Sequence, residues 1–424
     1  MASPLVLPVP SPVPGTGGLR AAPSPLKRPP SAVPSSSNGT PRQAGGARGG
    51  ALPAASLPVS ASMDLTEKLN EDERTKYIRG KELGEGTYAV VYEGRLRSDP
   101  TVKVAIKKIK VQKEYSDGMA PDAVREVKFL QELRHPNIVL LLSVFSSRDQ
   151  NLNLVLEHLP LGDLEMLIRD GQGVAYGAAD IKAWAGMLTR AVWFCHANFV
   201  LHRDIKPNNL LVAADGEVKL ADFGLARAFA DPFGAGRPMT SNVVTRWYRA
   251  PELLFGAAFY AGCVDVWSVG CVLAELIMRG PYLPGNTEVE QIALICRLVG
   301  TPTEENWPGV TKLKHYAVPD EAYPTRGRDA LMAQFGAVGP EGVDLLLKTL
   351  ALDPRKRITA EEMLRHPWWR VEPRPTRKED LPRKSEKTAK EKAAADLKRR
   401  PGILDDDNGP KVARKLDFGI AKKK

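Results

Sequence analysis

From residue 77 onward the hydrophobic positions fall into short runs before they fall into long ones. Residues 78–83, 89–96 and 102–109 read as short strand-like runs, the latter two rich in β-branched side chains, with Gly- and Asp-Pro-marked turns between them. They predict a small antiparallel sheet. The period then lengthens: Val124, Val127, Leu130 and Leu133 recur at helical spacing and predict a helix over 122–133 buried along that stripe. Runs at 138–145 and 153–157 bring the strands to five. After Gly162 the texture is helical. Ile181, Trp184, Leu188, Val192 and Cys195 share one face of a long helix that Asp180 is expected to cap. Further helices are predicted at about 263–278, 288–299, 341–351 and 360–366. The pattern is α+β: a strand-rich lobe over 77–159 and a larger, mainly helical lobe over 160–369.

The flanks carry no such pattern. Residues 1–62 are mostly Pro, Ala, Gly and Ser, without an aromatic residue, too little apolar surface to offset the entropy of ordering. This tail is expected to be disordered. It lacks acids, as organellar transit peptides do, but its prolines oppose the amphipathic helix those peptides use. Residues 63–76 form a charged lead-in, and Met63 is a candidate second start. Residues 370–424 have no apolar stripe and are also expected to be mostly disordered.

Charge sharpens this division. The formal net charge is +10, but residues 1–62 contribute +5 and residues 370–424 contribute +8, leaving −3 for the middle. The basicity belongs to the tails, so no direct nucleic-acid-binding face is expected on the globular part. No apolar run reaches the ~18 residues of a membrane span. The four cysteines show no metal-ligand or redox spacing, and three sit in apolar helical patterns, which suits a reducing compartment.

The chemistry is concentrated in two segments. His202-Arg203-Asp204-Ile205-Lys206-Pro207-Asn208-Asn209 is followed, thirteen residues after Asn209, by Asp222-Phe223-Gly224. Phosphoryl transfer from ATP requires a carboxylate beside the acceptor hydroxyl, a cation on the transferring phosphate and oxygen ligands for Mg²⁺. Asp204, Lys206 and the pair Asn209 and Asp222 supply these in the order and spacing of the protein-kinase signature. Residues 210–212 and 218–220 around Asp215-Gly216 predict a hairpin that mounts both metal ligands. Upstream, Gly84-Glu85-Gly86-Thr87-Tyr88-Ala89-Val90-Val91 lies between the first two strands. Its glycines let backbone amides approach phosphates, and Val91 would cover the adenine. Lys107, on the third strand with Ala105, pairs with Glu126 on the following helix to position the α- and β-phosphates. Arg125, Arg203 and Arg227 could converge on phosphorylated Thr240 in the loop between 222 and 252. A second Asp-Phe-Gly at 417–419 has no strand, base or lysine before it and reads as a tail segment.

With these residues in place the chain resembles the cyclin-dependent kinases over 77–369. Val244-Thr245-Arg246-Trp247-Tyr248-Arg249-Ala250-Pro251-Glu252, Asp265-Val266-Trp267-Ser268-Val269-Gly270 and Leu298-Val299-Gly300-Thr301-Pro302 carry the likeness. Ala89 in the glycine loop, Asp122-Ala123-Val124-Arg125-Glu126, Lys206-Pro207-Asn208-Asn209 and Thr240-Ser241-Asn242 are most similar to the catalytic subunits of CDK-activating complexes. The resemblance implies a bilobal protein kinase fold, ATP and Mg²⁺, and a cyclin of the H type gripping the helix at 122–133. It also implies a RING-finger assembly factor, the transcription factor TFIIH and a nuclear location. Implied substrates are Ser-Pro sites in the RNA polymerase II repeat and activation-loop threonines of other cyclin-dependent kinases. ATP contacts are implied for Gly84, Gly86, Val91, Ala105, Glu157, Leu159, Asp163 and Leu211, in a hinge one residue longer than the family pattern. Arg249 is the implied proline-selecting residue, and Thr87 and Tyr88 match a regulatory pair of the cell-cycle relatives. A cell-cycle cyclin-dependent kinase is the alternative. A MAP kinase is disfavoured because Thr240 lacks a Thr-x-Tyr context, and a pseudokinase scaffold because every chemical residue is present.

Overall fold

The computed structural model describes residues 65–86, 89–110, 121–147, 151–169, 174–229 and 238–382. The N-terminal tail, the 417–419 repeat, Met63, Thr87 and Tyr88 lie outside the described residues.

The five expected strands form one antiparallel sheet. They are β1 (Tyr77–Glu85), β2 (Ala89–Leu96), β3 (Lys103–Ile109), β4 (Leu141–Ser146) and β5 (Leu152–Glu157), in the order β1-β2-β3-β5-β4. Alternation pins the register, because a slip of one residue would turn every side chain to the wrong face. One face buries Val104 and Ile106 against Phe145 and Val155. The other presents Ala105 and Lys107, with Val91 paired opposite Lys107 and Leu156 opposite Ala105. The fourth strand starts at Leu141, not 138. Ile138 and Val139 instead run beside Leu220 of the large lobe and tie the lobes together.

Two helices flank this sheet. The charged lead-in forms α1 (Leu65–Thr75), where Asn70 bonds both backbone groups of Ser146 (3.0 and 2.6 Å) on the edge strand β4. The helix expected at 122–133 is α2 (Pro121–Glu132), but its buried face is rotated from the expected stripe. Ala123, Glu126, Phe129 and Leu130 point inward, whereas Val124 is 46% exposed. Apolar spacing alone misplaced the face because its centre is a carboxylate.

The large lobe is built on α4 (Ala178–Ala197) and α6 (Cys263–Met278), whose Trp184 and Trp267 are fully buried. Around them pack α3 (Leu164–Arg169), α5 (Pro251–Leu254), α7 (Glu288–Val299), α8 (Arg328–Phe335), α9 (Gly339–Thr349) and α10 (Ala360–Arg365). Asp180 is not the first cap of α4; it sits a turn inside and accepts from the Gly177 N–H at 2.8 Å. Short strands β6 (Val200–Leu201) and β9 (Arg227–Ala228) pair, and β7 (Leu210–Val212) and β8 (Val218–Leu220) form the expected hairpin. Among the described residues no helix is long and apolar enough to cross a membrane.

The first part of the tail expected from residue 370 is ordered. Residues 370–382 strap across the large lobe: buried Lys182 donates to the carbonyls of Val371 (2.9 Å) and Pro373 (2.7 Å), and Leu381 is buried. These bonds use backbone carbonyls, so hydrophobic patterning could not reveal them.

Candidate active site

The cleft between the lobes collects the predicted chemistry. Lys107 Nζ lies 2.7 Å from both carboxylate oxygens of Glu126 and 3.1 Å from Asp222 Oδ1. Burial alone would lower the ammonium's pKa, but the carboxylates of Glu126 and Asp222 outweigh it and raise the pKa, so Lys107 stays charged. Burial likewise pushes the Asp222 carboxyl upward, and Lys107 more than reverses this, holding it below its ordinary value. Burial raises the Glu126 carboxyl above its ordinary value, with Lys107 opposing the shift, and the Lys107–Glu126 pair couples α2 to the sheet.

On the large-lobe side, Asp204 is the hub. Its Oδ2 accepts from Lys206 Nζ (2.7 Å) and Asn209 Nδ2 (3.0 Å), and its Oδ1 from Thr245 Oγ1 (2.9 Å). Lys206 also reaches Thr245 Oγ1 at 3.1 Å. Asn209 Nδ2 donates again to the Asp204 carbonyl at 2.8 Å, which fixes the amide and leaves its oxygen as the free pole. Thr245, from the activation segment, is a constituent of this hub that catalytic-loop spacing did not disclose.

The loop is held under strain. Arg203 and Asp222 both adopt positive φ, 63° and 68°, rare for side chains with a Cβ. The restraint is Asp265, buried on α6, which accepts the N–H groups of His202 and Arg203 and a ring nitrogen of His196, each at 2.9 Å. Asp265 appeared in the sequence only as part of a family mark; its role needs a contact more than sixty residues away. His202 is buried, which lowers its pKa and keeps it neutral. Its Nε2–H donates to the Ala221 carbonyl (3.1 Å) while Nδ1 accepts from the Asp204 N–H (3.2 Å). The ring also stands edge-on to buried Phe223 at 4.7 Å. One imidazole thus ties Asp204 to the segment bearing Asp222.

The residues expected to face the nucleotide assemble as strand pairing dictates. Gly84 pairs opposite Val91, and the Gly86 N–H closes the loop on Ala89 O at 2.8 Å. Val91, Ala105, Leu159 and Leu211 are half-buried, as residues walling an open cleft should be. Two hinge carboxylates have structural engagements: Glu157 accepts from the Leu140 N–H (2.8 Å) and Lys219 (3.0 Å), and Asp163 from the Met166 N–H (2.9 Å) at the start of α3.

Two of the three arginines reach the Thr240 segment. Arg203 Nη1 donates to Tyr260 Oη (2.9 Å), whose hydroxyl donates to Thr240 O (2.7 Å), and Arg227 Nη2 lies 3.4 Å from Pro238 O. Arg125 instead pairs with Asp122 on its own helix. Thr240 itself is exposed. Arg249 donates to the Val244 carbonyl through Nε (3.2 Å) and Nη2 (3.0 Å) and is braced by Glu288 at 2.6 Å. Val244 has φ +69°, an outlier for a β-branched residue.

Comparisons agree with this geometry. The sequence pattern of the protein kinase domain matches residues 77–369. The chain is 48% identical over 301 residues to the serine/threonine-protein kinase KIN28 of Saccharomyces cerevisiae, covering 71% of this chain and 95% of that one. It is 42% identical over 344 residues to cyclin-dependent kinase 7 of Xenopus laevis, covering 79% and 94%. Among solved structures, the CAK complex from Chaetomium thermophilum bound to ATP-gamma-S holds a chain 73% identical, with a TM-score of 0.73 over 76% of this chain and 99% of that one.

Proposed function

The chain belongs to the protein kinase family, and from that premise we propose a proline-directed kinase whose activity depends on a cyclin. That it is a cyclin-dependent serine/threonine kinase using ATP follows from the family and the relatives. Asp204 orients the acceptor hydroxyl and receives its proton, and Lys206 stabilises the γ-phosphoryl group as it transfers. Lys107, held by Glu126, positions the α- and β-phosphates.

Mg²⁺ fits the donor set. Asn209 offers a free amide oxygen and Asp222 a carboxylate, and among the described residues no group of three or more His, Cys, Asp or Glu forms a protein-only metal cage. Hard oxygen donors from one or two side chains, completed by substrate phosphates, are what Mg²⁺ takes. Bound there, it would offset phosphate charge.

The observation that carries the substrate reading is Arg249 on the Val244 carbonyl. With that carbonyl engaged and Val244 in the left-handed region, the acceptor peptide's next residue finds no backbone acceptor there. An N–H buried at that point costs ~1–3 kcal/mol, and proline has none. Ser-Pro peptides should therefore exceed matched Ser-Ala peptides by ~10–100-fold in kcat/KM; equal rates would refute a proline-directed site. The likeness to KIN28 and to the CAK complex supports the RNA polymerase II repeat and activation-loop threonines as substrates. The same likeness supports an H-type cyclin and a RING-finger factor as partners, TFIIH as the assembly and the nucleus as the location. Phosphorylation of Thr240, read by Arg203, Arg227 and a released Arg125, completes the proposal.

A further inference from the structure

Away from the cleft, the large lobe contains a pocket of ≈180 Å³ that the kinase reaction does not use. Leu298 of α7, Leu331 of α8, Leu346 of α9 and Leu350 just after that helix line it. A cavity of ~150 Å³ with such walls takes up benzene, so this one accommodates one or two aliphatic side chains. Tyr282 also lines it. That residue is 6% exposed, and its buried hydroxyl has no hydrogen-bond partner. A buried orphan hydroxyl is costly and calls for a partner.

Two exposed cations, Arg326 and Lys356, belong to the lining, and neither has an ion-pair partner among the described residues. Asp353, the carboxylate there, is engaged through both oxygens by Arg355 at 2.9 Å. The site therefore asks for an aliphatic end joined to acidic groups and a hydrogen-bond acceptor.

This chain contains such a segment. Ile403-Leu404 is followed directly by Asp405-Asp406-Asp407, the one run of three acids beyond residue 382. The other apolar stretch there, Leu416 to Ile420, is flanked by Arg414, Lys415 and Lys422, which the pocket's cations would repel. The structure describes the chain to residue 382, with Leu381 buried on the same lobe. About 22 residues separate Leu381 from Ile403, a reach of roughly 75 Å extended and roughly 25 Å as a flexible coil. A domain of about 300 residues has a radius of gyration of only ~19 Å. Tethering also sets a millimolar effective concentration, so weak contacts suffice.

We propose that this pocket is the docking site of the chain's own segment Ile403–Asp407, the aliphatic pair entering between α7, α8 and α9 and the aspartates meeting Arg326 and Lys356. The test is zero-length carbodiimide cross-linking of the full chain, mixing isotope-labelled and unlabelled copies and reading products by mass spectrometry. Lys378 with Asp215 and Glu217 (2.8 and 3.1 Å) is the internal positive control. Lys356 should link to Asp405–Asp407 within one copy, and Lys356→Arg should abolish the link. Ile403→Ser with Leu404→Ser should reduce it about tenfold or more, because each aliphatic side chain left unburied forfeits about one tenfold step or more in affinity. The same double variant should lose hydrogen-exchange protection at 328–335 and 346–350. The proposal is overturned if the control links and Lys356 does not, or if links join only different copies. It is equally overturned if the serine variant links as well as the parent, or if decanoate adds as much protection to the parent as to the variant.

Discussion

At the scale of single residues, the cleft separates holding from reacting. Asp204 touches Lys206, Asn209 and Thr245 but none of the residues walling the nucleotide cleft. Asp204→Asn should therefore lower turnover by ~10²–10⁴, the usual share of base catalysis, while nucleotide affinity stays within a few-fold. Retention of more than a tenth of the parent rate in a single-turnover assay would remove Asp204 from that role. Glu275 gives a different prediction. It is 4% exposed, accepts from Tyr248 Oη (2.9 Å) and the Tyr282 N–H (3.2 Å), and burial pushes its pKa up to about 7 from an ordinary 4.5. Between those values the folded chain keeps a proton that the unfolded chain has released. Raising the pH from 4.5 to about 7 therefore costs stability through this group. Melting temperatures of the parent should fall relative to Glu275→Gln across that interval and run parallel above it. A constant difference from pH 5 to 8 would mean that Glu275 is ionised throughout.

At the scale of elements, the hairpin β7–β8 carries the proposed metal ligands at its open end and the strap at its turn. Asn209 precedes β7, Asp222 follows β8, and Gly216 in the turn has φ +90°. A Cβ on Gly216 would lie 2.0 Å from the Lys378 carbonyl, so neither the conformation nor the space admits a side chain. Gly216→Ala should lower the melting temperature by the equivalent of ~1–3 kcal/mol and speed hydrogen exchange at 376–382. Lys378→Ala should change little, because its ion pairs are largely solvent-screened. An unshifted exchange pattern in Gly216→Ala would show that the strap does not rest on the turn. The hairpin was legible in the sequence because Asp-Gly between two short apolar runs has few other solutions. So were the five strands, α6 and α7, and the grouping of Lys107, Glu126, Asp204, Asn209 and Asp222. The strap, the anchoring by Asp265 and the true face of α2 were not legible. Each depends on a polar contact between distant parts of the chain, which periodicity of apolar residues cannot register.

At the scale of the whole molecule, the proposed activity requires α2 to stay where the cleft needs it. The C-terminal half of the helix is secured by buried Phe129 and Leu130. Its N-terminal half has less: Ala123 and Glu126 face inward, and Val124 is 46% exposed. The Lys107–Glu126 bond is therefore the main hold on that half, and it desolvates two charges. Such a pair is neutral to costly unless its surroundings keep it in register. Leu142 on the neighbouring edge strand is 43% exposed, so the outer surface beside α2 offers apolar area for a partner to cover. A cyclin seated there would stabilise the inward position by differential contact, the only way a ligand shifts such an equilibrium. The isolated chain should accordingly phosphorylate a Ser-Pro peptide only slowly, and adding the cyclin should raise the rate together with hydrogen-exchange protection at 123–132. Lys107→Met and Glu126→Gln should each lower the cyclin-stimulated rate, and the double variant should cost little beyond the worse single change, since the two act as one unit. Full activity of the dilute, isolated chain would overturn cyclin dependence. Additive losses in the double variant would show that α2 does not act through this pair.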